Sequence, residues 1–166
     1  METVPAPEAF GTTIFCDDVR MEIGGKLTFV GCYSGKMFIH SGFPVVFPKF
    51  CLAISYWQER GKVVRPIRVW VFMPGDPEDT PSIEFGIPDQ SVEDILADLE
   101  SDAVEIEKRA ERAFAAVRTQ IALVNLNITQ PGSIRVRAVR GEQLIRLGNL
   151  RVEAAPDTPP PEIPAA

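Results

Sequence analysis

With 166 residues, 45% of them hydrophobic and 24% charged, the chain is long enough for one sizeable core and short for two. A formal net charge of -6 argues against general affinity for nucleic acid or an anionic membrane, both of which reward clustered Lys and Arg, but leaves room for a local basic patch. Residues 1–8 contain neither a basic region nor an apolar run, and no later segment is apolar for long enough to span a bilayer, so a cytoplasmic protein is expected.

Residues 1–10 read as a leader. Residues 11–23 read as a strand, with Val19, Met21 and Ile23 alternating with Asp18, Arg20 and Glu22. Gly24-Gly25 then marks a turn into Leu27, Phe29 and Val30. A three-residue loop, Gly24-Gly25-Lys26, pairs Ile23 with Leu27 and Met21 with Phe29, which keeps every large apolar residue on one face. Asp18, Arg20 and Glu22 then form a solvated charge ladder. Asp17 breaks the alternation, so it needs either a bulge or hydrogen-bond donors. Cys16, Cys32 and Cys51 form an odd set without C-x-x-C spacing, each within an apolar run where a free thiol packs as a small hydrophobe. A zinc site joining them to His40 needs four converging ligands and is not expected.

Residues 50–57 are almost continuously apolar, which fits a strand near the centre of a sheet. Residues 63–73 alternate, with Ile67, Val69 and Val71 on one side and Arg68, Trp70 and Phe72 on the other. The turn at Gly61 suggests that these two strands pair, and Pro66 suggests an edge there. The segment 74–81 is a Pro- and Asp-rich loop, followed by a short strand through Ile83, Phe85 and Ile87.

From Ser91 the pattern changes. Ser91 and Asp94 resemble a capping box, and Val92, Leu96, Leu99, Ala103, Ile106, Ala110, Ala113 and Val117 recur at spacings of four and three. This predicts a helix over about 91–115, inserted into the β pattern, on the order of 35 Å long. Its stripe packs either on its own sheets or on a partner helix such as a second copy. Strand patterns resume over 118–129, 134–139 and 144–152, and the last two form a hairpin bearing Arg135, Arg137, Arg140, Arg146 and Arg151. Beyond residue 153 the chain turns to Pro and Ala, the composition of an extended, disordered tail.

The run Phe15-x-Asp17-Asp18-x-Arg20-x-Glu22-x-Gly24-Gly25-Lys26-x-Thr28-Phe29-Val30-Gly31, with Pro48-Lys49-Phe50, resembles an uncharacterised family of small bacterial and prophage-encoded proteins. The resemblance extends to Pro131-Gly132-x-Ile134-x-Val136 and Gly148-x-Leu150-x-Val152. It implies a β-sandwich-like domain and carries no activity onto any residue.

The expected architecture is therefore mainly β: an antiparallel sandwich, Ig-like or C2-like, over residues 11–153, with one long inserted helix. Its expected core is Phe15, Val19, Met21, Leu27, Phe29, Leu52, Ile54, Val69, Val71, Leu123, Val136 and Leu150. One His, and no triad order, P-loop or dinucleotide fingerprint, favour a non-enzymatic binding or assembly module without a cofactor. A protein partner or self-association is expected through Leu96, Leu99, Ile106 and Ala110 of the helix, or through Arg135 and Arg137. Two alternatives are a Ca²⁺-like metal module or hydrolase using Asp17, Asp18, Asp76 and Asp79, and a carbohydrate or small-ligand site on Tyr56, Trp57 and Trp70.

Overall fold

The computed structural model describes residues 7–59, 67–87 and 114–156. Ten strands occur among them, arranged in three sheets. The first sheet has the order β1-β5-β8 and is antiparallel. Its spine is the 15-residue β5 (Val45–Glu59), flanked by β1 (Ala9–Cys16) and the equally long β8 (Phe114–Ile128). The second sheet has five strands in the order β4-β10-β9-β6-β7, namely Lys36–Ile39, Gln143–Ala154, Gly132–Arg140, Ile67–Phe72 and Ile83–Ile87. β4 joins β10 in parallel, so this sheet is mixed.

The two large sheets share one core. Phe50, Leu52, Ile54 and Tyr56 of the first meet Val69, Val71, Val136, Leu150 and Val152 of the second in a single hydrophobic cluster. The alternation that buries these residues is the period-2 pattern of the sequence. The sheets approach closely where glycine allows it. A Cβ on Gly148 of β10 would fall 2.8 Å from the Thr13 side chain of β1, and one on Gly11 would fall 2.5 Å from Leu147.

The third sheet is the hairpin of β2 (Asp18–Met21) and β3 (Leu27–Val30). Its parity is the expected one, but its register is shifted by two residues. Met21 pairs with Leu27 and Val19 with Phe29, while Ile23 sits fully exposed at the tip of a longer loop. Gly24 and Gly25 both take positive φ there, which places the turn on the only residue type that adopts it without strain. The hairpin also lies outside the main core. Met21 is 69% exposed, and Val19, Leu27 and Phe29 are half-buried against the outer side of the first sheet.

Two further expectations are corrected. β5 and β6 do not pair: β5 lies between β1 and β8, whereas β6 lies between β9 and β7 in the other sheet. There is also no helix among the described residues. Most of the expected helical segment, with Leu96, Leu99, Ile106 and Ala110, lies outside them. Where its end is described, the chain is already strand. Residues 114–117 pair with residues 59–56 of β5, and Val117, the last member of the supposed helical stripe, is buried in the core. No Gly, Asn or Pro separates Phe114 from the β pattern that follows, and pairing along the full length of β5 satisfies the backbone. Tertiary pairing thereby overrides the helix propensity of Ala115 and Ala116. Association through a helical face has no support among the described residues, which contain no helix.

Candidate functional site

Inward-facing residues of β9 (Ile134, Val136 and Ala138) belong to the core, so the residue preceding each of them must face out from the five-stranded sheet. These are Ser133, Arg135 and Arg137. Register with the neighbouring strands builds two rows across this face. One runs Glu84, Trp70, Arg137, Arg146; the other runs Phe72, Arg135, Asn149. The second half of each row depends on a β-bulge. Between Arg146 and Gly148 the register slips, and the extra residue, Leu147, turns into the core at 3% exposure. Without that slip Arg146 and Asn149 could not both face outward. The bulge therefore sets two guanidiniums, Arg137 and Arg146, directly opposite each other.

Ser133, Arg135, Arg137, Arg146, Leu147, Gly148 and Asn149 line a cleft of about 600 Å³ on this face. Arg135 and Arg137 stand over the ring of Phe72, at 4.8 and 5.9 Å from guanidinium carbon to centroid, and that ring, which also meets Trp70 at 6.2 Å, is fully buried. Such stacking fixes a guanidinium while leaving its edge N–H donors free to bind. Arg68 sits similarly over Trp70, at 5.8 Å, and pairs with Glu84 at 3.0 Å. Arg146 has no ion pair among the described residues.

The loop between β6 and β7 supplies the carboxylate nearest this arginine pair. Asp76 Oδ2 accepts hydrogen bonds from the Met73 N–H (2.7 Å) and the Ser82 N–H (3.0 Å), which closes the loop on itself. Burial is the largest single influence on Asp76 and pushes its carboxyl up. Those bonds and the nearby Arg135 charge outweigh it and hold the group below the ordinary range. Arg135 Nη2 donates to the Asp76 carbonyl at 2.9 Å, and Glu78 then reaches both arginines. Its Oε1 pairs with Arg135 Nη1, and its Oε2 lies 3.5 Å from Arg137 Nη2.

The other arginines of the terminal hairpin are employed elsewhere. Arg140 is buried at the inner face, near Glu8 (3.4 Å) and Gln143 (3.1 Å), and Arg151 pairs with Glu153 at 2.5 Å. Among the described residues, the acidic residues that meet Arg135 and Arg137 come from the 74–81 loop.

The carboxylates considered for a metal are not brought together. Asp17 sits at the break between β1 and β2, where its N–H bonds to Val30 O (3.0 Å) and its Oδ1 accepts the Tyr33 hydroxyl proton at 2.6 Å. Burial, and then this bond, push the Tyr33 hydroxyl well above its usual value. A Cβ on Gly31, which has a φ of 64°, would fall 2.0 Å from Asp17 Oδ2. Asp17 thus packs flat on a glycine, which accounts for the break in alternation. Asp18 is held by Lys49 and, at 3.1 Å, by Arg20. Hydrogen bonds from Lys49 first and Arg20 second keep its carboxyl below the ordinary range. Asp79 accepts from the Thr80 hydroxyl at 3.1 Å in the loop between β6 and β7. Among the described residues no three His, Cys, Asp or Glu are placed to share a metal ion.

The three aromatics weighed for a sugar site also part company. Tyr56 is fully buried, Trp57 stacks on Phe10 at 5.2 Å outside the first sheet, and Trp70 lies outside the second. Cys16 and Cys51 are buried register partners, and burial, then the neighbouring Cys51 and Cys32, push the Cys16 thiol up to about 11. Cys32 is exposed, contrary to expectation, because β3 ends at Val30 and Cys32 lies in the following loop.

Sequence reading found the arginine cluster but missed its aromatic support and its bulge. The signal for the bulge was present: Ile145 and Leu147 are in one phase, Gly148, Leu150 and Val152 in the other. None of the described helical segments, there being none, is long and apolar enough to cross a membrane. No curated protein and no solved structure matches the chain. A family model described as a family of unknown function (DUF6941) matches residues 12–153, a span that holds the hairpin, nearly all of both large sheets and the arginine cleft. The chain belongs to that family.

Proposed function

We propose that this protein is a non-enzymatic binding or assembly module, and that it recognises an anionic partner with the outer face of its five-stranded sheet. The observation that carries the reading is the cross-strand pair Arg137–Arg146, aligned by the Leu147 bulge, in a chain of net charge -6. Like charges directly opposite in a sheet are destabilising, and an anion between them reverses the sign. The charged groups that line the cleft are guanidiniums, which offer hydrogen-bond donors and no acceptor. They suit recognition of carboxylate or phosphate rather than proton transfer. A bacterial or prophage setting and a cytoplasmic location belong to the same proposal, and rest on the hairpin motif and the composition alone.

Titration of the Trp57→Phe variant with polyglutamate at low salt, followed by the fluorescence of Trp70, tests the reading. Saturable binding that weakens as salt rises is expected. No saturable binding of polyglutamate, phosphate or any other polyanion at low salt would overturn it.

A further inference from the structure

Resting on the proposal that the arginine cleft binds an anion, we infer that its ligand is an extended acidic polypeptide segment, and that Glu78 is a tethered competitor for the same guanidiniums. Three features carry this. First, the charge is under-matched: one carboxylate is shared by Arg135 and Arg137, and Arg146 has no ion pair among the described residues. Secondly, Glu78 holds its partners from outside. It comes from the β6–β7 loop, does not line the cleft, and keeps 77% of its side chain in solvent, whereas the two arginines are 18% and 15% exposed. Water can replace a carboxylate of that exposure at small cost, while the guanidiniums remain seated on Phe72.

The third feature is spacing. Arg135 and Arg137 are alternate residues of β9, so their side chains repeat about 6.8 Å apart along the strand. Acidic side chains at alternate positions of an extended peptide repeat at the same interval. A Glu-x-Glu segment laid along β9 meets one guanidinium with each carboxylate, and Arg146 and Asn149 close the other wall. Forks of this kind bind carboxylates in two-point fashion. When the peptide leaves, Glu78 returns and covers the pair.

Fluorescence anisotropy of a labelled peptide alternating Glu and Thr tests the inference on the full chain and on Glu78→Gln. The alternating peptide is expected to bind more tightly than one of the same composition with its Glu residues clustered. Glu78→Gln is expected to bind about three- to tenfold more tightly than the unaltered chain, with the gain shrinking as salt rises. Binding by both proteins with equal affinity would overturn the competitor while leaving anion recognition standing. Tighter binding of inorganic phosphate or a single-stranded oligonucleotide than of the peptide would overturn the acidic-peptide assignment. No binding of any of these probes by either protein would overturn both readings.

Discussion

The first hairpin and the outer face of the five-stranded sheet each hold one carboxylate between two cations, yet they are different kinds of contact. Asp18 lies between Arg20 and Lys49, whose side chains are 64% and 45% exposed, so that contact is solvated and does little more than hold a hairpin down. Glu78 lies between two arginines that are nearly buried on an aromatic ring, with a third arginine aligned beside them. The hairpin is the more densely patterned in sequence. The sheet face is the better site, because its cations are fixed by their neighbours before any ligand arrives.

Substitutions separate the two regions, beginning with the largest effect. Phe72→Ala removes a fully buried ring and the platform of the arginine pair; a loss of about 3–5 kcal/mol is expected in urea unfolding, whereas Phe72→Leu should lose far less. A wild-type unfolding midpoint for the alanine variant would break the argument that Phe72 is structural support. Gly31→Ala forces a side chain into positive φ against Asp17, and about 1–3 kcal/mol should be lost. Polyglutamate affinity should stay unchanged in that variant, since the hairpin is not part of the anion face.

Asp76 gives the pH arm of the comparison. Its carboxyl sits lower in the folded protein than in an unfolded chain, so it stabilises the fold at pH values above the ordinary carboxylate range. That contribution is lost as pH falls through its folded value. Asp76→Asn should therefore lower the melting temperature at neutral pH, and the gap to the unaltered protein should close in acid. A gap that widens in acid would contradict the sign. The smallest effect is expected from Asp18→Asn, a slight fall in melting temperature that vanishes in high salt. A large fall that resists salt would show that the hairpin contact is not solvated.

Much of the β pattern was legible because burial follows period 2 directly: Leu52, Ile54, Val69, Val71, Val136 and Leu150 are all core residues. What failed was whatever depends on long-range pairing. Phe114 and Val117 have a helical spacing with the alanines around them, and only the presence of β5 alongside makes them strand. The partner of β5 could not be read from the turn signal at Gly61 in the sequence, since strands β1 and β8 claim both edges of β5. The hairpin kept its parity but not its register, because two adjacent glycines allow a longer loop than the shortest one with the right phase. At the site, Arg135 and Arg137 were visible as a charge cluster. Their meaning came from residues about sixty positions away in sequence, Phe72 and Glu78, which no local pattern could supply.

The most direct test of the central claim is the affinity of the alternating Glu–Thr peptide for Arg146→Gln. Arg146 is exposed, has no ion pair among the described residues and stands opposite Arg137, so its loss should not lower the melting temperature and should raise it slightly by relieving that repulsion. The account predicts peptide binding about three- to tenfold weaker than for the unaltered protein, with a shallower dependence on salt. Unchanged affinity in a fully folded Arg146→Gln protein would contradict it.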